Sequence, residues 1–444
     1  MKNFYILILI LMINNPVFGQ LLMQEPDIVK ESQKFIHQFY DQKFEESYAM
    51  FDEVVKNQIT SGQLKTAYDA TRERFGELKS IGPTSINTSG NYTISLTKLI
   101  HENGDFNIQL TFNEAGKVAG FFFKPIKEDV EPAPVPTYAD PSKFYEKDVK
   151  FGMEPFILDG KLTVPKNVIN PPVLILVHGS GPNDMNEQVG PNMPFRDLAV
   201  GLASNGVAVL RYNKRTFQYN SAMAEIRNVI TLEQETIEDV GFAIEYIRTL
   251  KDIDTNRVFV LGHSLGGLAI PQIAKEYKYA HGFIIMAGAN QPLEDKILSQ
   301  YKYISKLPKN QGINEETLAE LEKQVKKIKE ANFGDENDPN SNLLGVPPAY
   351  WLYLKRYKPL DIIKTINKPI LVIQGKRDYQ VVEEEYNNWQ NALKDNQQAK
   401  FYLYPKLNHL FLEGEGQSMP EEYEIPSNIP VNVINDISKW ILGN

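Results

Sequence analysis

The amino-acid sequence predicts a doubly wound, mainly parallel α/β sheet that carries a helical insertion and follows a small α+β domain. Three observations lead there. Six short apolar runs, at residues 173–177, 207–210, 258–261, 283–286, 370–373 and 401–404, are free of charge, as strands buried on both faces are. Stretches of helical period separate most of them, at 195–203, 237–250 and 268–277. Residues 26–126, ahead of all these, begin with helical spacing and then turn to alternating apolar and polar runs.

Taken in order, the first residues fit a secretory signal. Lys2 supplies the positive start, residues 5–12 a short apolar run, and Val17-Phe18-Gly19 a cleavage site, so residues 1–19 are expected to be removed near Gly19. The run is shorter than the ~20 residues a spanning helix needs. A secreted or periplasmic protein without stable membrane insertion is the expectation. Ile28, Phe35, Phe39, Phe44 and Met50 give the helical part of the first domain, and residues 91–100, 106–112 and 118–123 its strands. No acid, base and nucleophile converge there, so His37 and His101 read as ordinary surface or core residues. Pro125, Pro132, Pro134 and Pro136 among acidic residues predict an extended, semi-rigid spacer, placing a linker at 127–143 and the second domain at 144–444.

Within the second domain, residues 291–359 form a helical insertion where a lid is expected. Leu318, Leu321, Val325 and Ile328 line one helix face and predict burial. Tyr350, Trp351 and Tyr353, with Tyr357, are candidate walls of a substrate pocket. A length of 444 residues with 42% hydrophobic content suits two folded domains. The net charge of -9 and the lack of a long basic block argue against a nucleic-acid partner. The absence of cysteine excludes disulfides and lipid attachment through a thiol.

The chemistry is carried by Gly262-His263-Ser264-Leu265-Gly266-Gly267, which follows one apolar run and precedes a helical one. A serine on a tight, strained turn projects its hydroxyl outward, and glycines two positions either side let neighbouring backbone pass. The helix behind it presents free N–H groups to an oxyanion. Such a serine needs a base. Of six histidines, two lie in the first domain, His178 and His263 belong to glycine-rich turns, and His281 sits on the amino side of a strand, which leaves His409. Asp378, in the turn after residues 370–373, fits the orienting acid, with Asp361 and Asp395 as less well placed alternatives. The N–H of Leu265 and that of Ser180, in His178-Gly179-Ser180-Gly181-Pro182, are the candidate oxyanion donors.

Residues 172–444 resemble the α/β-hydrolase superfamily, whose chain order is nucleophile, acid, histidine, as in Ser264, Asp378, His409. The two glycine turns, Met286-Ala287-Gly288-Ala289 and residues 374–381 together resemble secreted bacterial carboxylesterases. Residues 26–126 resemble in pattern the cone-shaped nuclear-transport-factor-2-like domains that precede some of them. The resemblance implies hydrolysis of small-molecule carboxylic esters without metal or organic cofactor and does not by itself fix the acyl or alcohol group; short acyl chains are the expectation. A homo-oligomer is compatible with it. One departure is Asn213, where related sequences commonly carry aspartate. A secreted peptidase or amidase of the same fold is the alternative, and a non-catalytic ligand-binding protein a third reading. Dehalogenase and epoxide hydrolase chemistries put aspartate at the position of Ser264.

Overall fold

A computed structural model of the chain describes residues 27–56, 59–89, 92–125, 131–308, 313–331, 333 and 342–444. The expected signal at 1–19 lies outside them. The chain divides into two units between Asp129 and Val130.

The first unit opens with helices α1 (Ile28–Tyr40), α2 (Phe44–Ala49), α3 (Glu53–Lys56) and α4 (Ser61–Phe75). Asp27 caps α1 by accepting from the Lys30 N–H, and Thr60 with Gln63 forms a capping box on α4. Strands β1 (Leu78–Ser89), β2 (Tyr92–His101), β3 (Phe106–Phe112) and β4 (Val118–Pro125) form an antiparallel sheet in that order. Phe35, Phe39, Ile108, Leu110 and Phe112 are fully buried between helices and sheet. The sequence reading missed β1 because it is polar and holds Gly82 and Pro83. Both lie where the β1–β2 register shifts, between Ile81 and Thr84, on an edge strand that tolerates a proline. His101 is buried, bonded to the Tyr40 hydroxyl at 2.9 Å and stacked on Phe106, and burial lowers its pKa. His37 is exposed.

The second unit holds an eight-stranded sheet of β5 (Phe144–Met153), β6 (Phe156–Pro165), β7 (Val173–Val177), β8 (Ala208–Tyr212), β9 (Val258–His263), β10 (Gly282–Met286), β11 (Ile370–Gly375) and β12 (Ala399–Tyr404). Its order is β12-β11-β10-β9-β7-β8-β6-β5, parallel from β8 to β12 and antiparallel through β6 and β5. Helices α5 (Pro194–Ser204), α6 (Arg215–Gln218), α7 (Asn220–Glu225), α8 (Glu238–Arg248), α9 (Leu265–Glu276), α14 (Glu383–Ala392) and α15 (Val431–Leu442) belong to the unit, and a π-helical turn (Glu233–Ile237) leads into α8. Between β10 and β11 lie α10 (Leu293–Ile304), α11 (Glu315–Lys329), α12 (Pro348–Arg356) and α13 (Pro359–Ile363). Two apolar cores flank the sheet, and every residue of β7 and β9 is buried.

Residues 131–143, expected as an extended, semi-rigid spacer, are packed within the second unit. Ala133 is buried and its N–H donates to Pro191 O at 2.8 Å. Arg196 donates to the carbonyls of Ala133 and Pro134, and the Tyr138 hydroxyl to Ile429 O at 2.7 Å. Proline kept this segment extended, but an extended backbone with free carbonyls still finds donors on an adjacent surface. In the insertion, Val325 and Ile328 of the apolar stripe are buried, whereas Leu318 and Leu321 are only half-buried. Among the described residues no helix is long and apolar enough to cross a membrane.

The strand order reverses at β7, which pairs with β8 on one side and β9 on the other. A crevice therefore opens at the carboxyl ends of β7 and β9, where ligands bind in open α/β sheets.

Candidate active site

Ser264 sits at that crevice, between the end of β9 and the start of α9, with φ 54° and ψ −111°. For a non-glycine residue this backbone conformation costs about 1–3 kcal/mol and persists only where the surroundings enforce it. They do so through close backbone approach. A side chain at Gly262 would collide with Gly266 O, and one at Gly266 with Val177 O at the end of β7. The Ser264 N–H is held by Met286 O at 3.0 Å, at the end of β10. Helix α9 begins at Leu265, earlier than its apolar period suggests, so its first N–H groups lie directly behind the serine.

His409 follows β12 on a loop. Its Nδ1 donates to Asp378 Oδ2 at 2.7 Å, and both side chains are buried. Asp378 follows β11, and its other oxygen accepts from the Gln380 and Val381 N–H groups at 2.7 and 2.9 Å. Gln374 Nε2 donates to Oδ2 at 3.1 Å. The carboxylate is thus held by four donors, which fixes its plane against the imidazole. Gly375 is required because its Cα lies against the carbonyls of Leu407 and Asn408. Arg377 ties down the rest of the loop, donating to Gly416 O, Lys406 O and Glu415 O and pairing with Glu422 at 2.5 Å. The alternative acids are elsewhere in use or exposed: Asp361 pairs with Lys364 and its side chain is 72% exposed, and Asp395 is exposed.

The other two histidines of the second unit's glycine turns are committed. His178 donates from Nε2 to Asp184 O at 3.1 Å between the rings of Phe195 and Tyr212, and burial pulls its pKa down to about 4. His263 donates from Nε2 to the backbone O of His409 at 3.0 Å, its ring 4.8 Å from that of His409. Its Nδ1 faces Glu187 Oε2 at 2.9 Å, and the carboxylate raises its pKa against the opposing effect of burial. The same ion pair holds the Glu187 pKa down despite burial. The Ser264 turn and the His409 loop are therefore tied together through His263.

At the turn after β7, Gly179 lies against the serine: a Cβ there would sit 3.1 Å from Ser264 Cβ. Its N–H is taken by Glu187 Oε1 at 2.5 Å. Its carbonyl accepts from Lys214 Nζ at 2.8 Å. Ser180, the next residue, is exposed. Asn213, the departure noted above, accepts the Met185 N–H at 2.9 Å through Oδ1, a task either asparagine or aspartate performs.

The three candidate pocket walls each have a polar partner in the structure. Trp351 is buried with Ile328 and Phe333 in a small core of the insertion and donates from Nε1 to Leu343 O. Tyr350 is buried, its hydroxyl on Glu235 Oε2 at 2.6 Å, and Tyr353 reaches Glu233. Tyr357 is buried with its hydroxyl on Leu268 O. A ring with a polar tip anchors a helix wherever an acceptor waits beneath it, and sequence does not show that acceptor. Sequence reasoning also missed Glu187, Lys214 and Glu235. Lys214 had a faint signal, a cation two residues past a buried strand, whereas Glu187 stands in a polar loop without a motif. Among the described residues no group of three or more His, Asp or Glu side chains is arranged to hold a metal.

A strained serine at a strand-to-helix turn, on a mainly parallel sheet with reversed strand order, places the second unit among the α/β-hydrolases. The chain belongs to the α/β-hydrolase family described as serine aminopeptidase S33, which matches residues 173–416. Residues 32–121 match a family described as protein of unknown function (DUF3887). Over 414 residues, 93% of this chain and 95% of the relative, the sequence is 36% identical to esterase EstD of Thermotoga maritima. It is 23% identical to acylamino-acid-releasing enzyme of Rattus norvegicus over 57% of this chain, which spans only 30% of that protein. Among solved structures, Est1E from Butyrivibrio proteoclasticus matches 67% of this chain and 99% of its own, at 16% identity and a TM-score of 0.43. The esterase domain of a Rhodothermus marinus protein matches 67% and 97%, at 15% and 0.40. The protein is a carboxylic ester hydrolase.

Proposed function

We propose that the enzyme cleaves esters through an acyl-enzyme on Ser264, with His409 as the base and Asp378 as its orienting acid. The observation that carries this is the 2.7 Å bond from His409 Nδ1 to Asp378 Oδ2, on a loop tied by His263 to the serine's own turn. With Nδ1 engaged, His409 Nε2 is the nitrogen left to take the Ser264 proton. Ser264 Oγ then attacks the ester carbonyl carbon, and its oxygen becomes an anion. The N–H groups of Leu265 and Ser180 receive that charge; Gly179, the other candidate at its turn, already gives its N–H to Glu187. Collapse expels the alcohol, which takes the proton from His409. Water, deprotonated by His409, attacks the acyl group, and the acid leaves with Ser264 restored.

We keep short acyl chains as part of this reading, and a series of p-nitrophenyl esters tests it. We also keep the reading of residues 1–19 as an export signal, which rests on Lys2, the apolar run and Gly19. N-terminal sequencing of exported protein, beginning near Gln20, tests it.

The test of the chemistry is hydrolysis of p-nitrophenyl esters from acetate upward by the parent and by Ser264→Ala, with fluorophosphonate labelling in parallel. The variant is expected to lose about 10⁴–10⁶-fold in kcat, the scale set by other triad nucleophiles, and all labelling. Labelling that persists in Ser264→Ala would remove Ser264 from the mechanism. Faster cleavage of a matched amide than of the ester would shift the assignment to the amidase reading.

A further inference from the structure

Gly179 is gripped from both sides by buried ion pairs that the proposed chemistry does not use. Its N–H donates to Glu187, which pairs with His263. Its carbonyl accepts from Lys214 Nζ at 2.8 Å, and Lys214 pairs with Glu235 Oε1 at 2.5 Å. The Lys214 and Glu187 side chains are only 2% and 4% exposed. Glu235 rises from the π-helical turn, and its second oxygen takes the Tyr350 hydroxyl from α12 of the insertion. Asn183 Nδ2 bridges the carbonyls of Gly179, Ser180 and Gly181 on the same turn.

Buried ion pairs are poor stabilisers, since apolar residues of like volume hold a core as well or better. Two of them on one glycine call for a positional reason. A trans peptide points its C=O and N–H to opposite sides. The peptide between Gly179 and Ser180 is trans. A cation that fixes the Gly179 oxygen therefore turns the Ser180 N–H the other way, on a turn that abuts Ser264.

We propose that Lys214, on the Gly179–Ser180 peptide, and Glu187, on the His178–Gly179 peptide before it, are positioning residues that together fix the orientation of Gly179 so that the Ser180 N–H faces the ester's oxyanion. Glu235 and Tyr350 hold Lys214 in place, which links docking of the insertion to the oxyanion site. The proposal rests on the reading of Ser264 as nucleophile.

The test compares the parent with Lys214→Met, Lys214→Met/Glu235→Gln, Glu187→Ala and Glu187→Gln. Readouts are kcat and KM on p-nitrophenyl butyrate, inhibition by an aryl trifluoromethyl ketone, whose adduct carries an oxyanion, and the thermal midpoint. Loss of one oxyanion donor costs about 10²–10³-fold in kcat, which sets the ceiling here. Lys214→Met is expected to lose at least about tenfold in kcat with KM within about threefold, and to bind the ketone correspondingly more weakly. The double variant removes the carboxylate left unpaired, so it should regain thermal stability without regaining kcat or ketone affinity. Glu187→Gln still accepts the Gly179 N–H and should lose less than Glu187→Ala. A folded double variant with parental kcat and ketone affinity would overturn the proposal. Failure of the nucleophile reading would instead show as labelling that persists in Ser264→Ala.

Discussion

His178 makes the stability of the second unit depend on pH in a calculable way. Its ring is 1% exposed, and burial outweighs the attraction of Glu187 and Asp184, so its pKa falls to about 4 from an ordinary value of 6.5. Between those values the unfolded chain binds a proton that the folded one refuses. Stability attributable to this residue is thus intact above pH 6.5, falls as the pH drops below it, and stops falling below about pH 4. Single-site linkage gives a loss of about 2 kcal/mol between pH 7 and pH 5, and about 3 kcal/mol in full. His178→Gln keeps a donor near the position of Nε2, for Asp184 O, and removes the titration. Urea unfolding of both proteins at pH 7, 6 and 5 would isolate the effect, because other titrating groups are common to the pair. Tryptophan fluorescence suits the purpose, since Trp351, Trp389 and Trp440 all lie in the second unit. The stability gap between parent and variant should close by about 2 kcal/mol from pH 7 to pH 5. A gap that stays constant would refute the assignment of a neutral, buried His178.

Two further outcomes follow from burial and close approach. Lys296 of α10 pairs with the fully buried Glu385 at 2.5 Å, and Glu385 also accepts the Asn290 and Gln291 N–H groups where the insertion leaves the sheet. Lys296→Met should therefore cost about 3–5 kcal/mol in denaturant unfolding, most of it recovered in Lys296→Met/Glu385→Gln. Gly262→Ala places a methyl group on the carbonyl of Gly266, which cannot yield without moving the serine. Fluorophosphonate labelling should slow by roughly a hundredfold or more, as a misplacement near 1 Å implies.

Legibility in the sequence tracks how local each constraint is. The turn around Ser264 could be read because its glycines are demanded by backbone within four residues of one another, Gly262 against Gly266. Asp378 and His409 could be read because β11 and β12 are plain apolar runs and only six histidines compete. The hairpin β5–β6 was not read as strands, since β5 exposes one face and its alternation is broken by charges at 146–148 and 150. Glu187, Lys214 and Glu235 meet Gly179 from separations of 8, 35 and, through Lys214, 21 residues, and nothing in their neighbours announces the meeting. Tyr350 and Trp351 show the same limit from the other side. Their ring character was legible, but whether a ring lines a cavity or closes a core is decided by Glu235 and Leu343 O, which only folding brings near.

The proposed nucleophile and base differ in how much of their support comes from side chains. Ser264 is fixed by backbone against backbone: Gly266 on Val177 O, Gly267 on Gly288, and the Ser264 N–H on Met286 O. Such contacts have no soft side-chain end to give way, so a small change either fits or opens the turn. His409 is held by backbone contacts as well, with Gly375 on the Leu407 and Asn408 carbonyls and the Arg377 N–H on Leu407 O, and in addition by polar side chains, through Asp378 beneath it, Asn408 accepting the Leu410 and Leu412 N–H groups beside it, and Arg377 across the loop. Each of those side-chain bonds can lengthen or exchange with water, so the loop can shift by degrees. Only His263 belongs to both systems, covalently next to Ser264 and bonded to the carbonyl of His409. Under the proposed mechanism, single substitutions among the polar side chains around His409 or Gly179 should therefore lower kcat by degrees, whereas Gly266→Ala, against Val177 O, should abolish it.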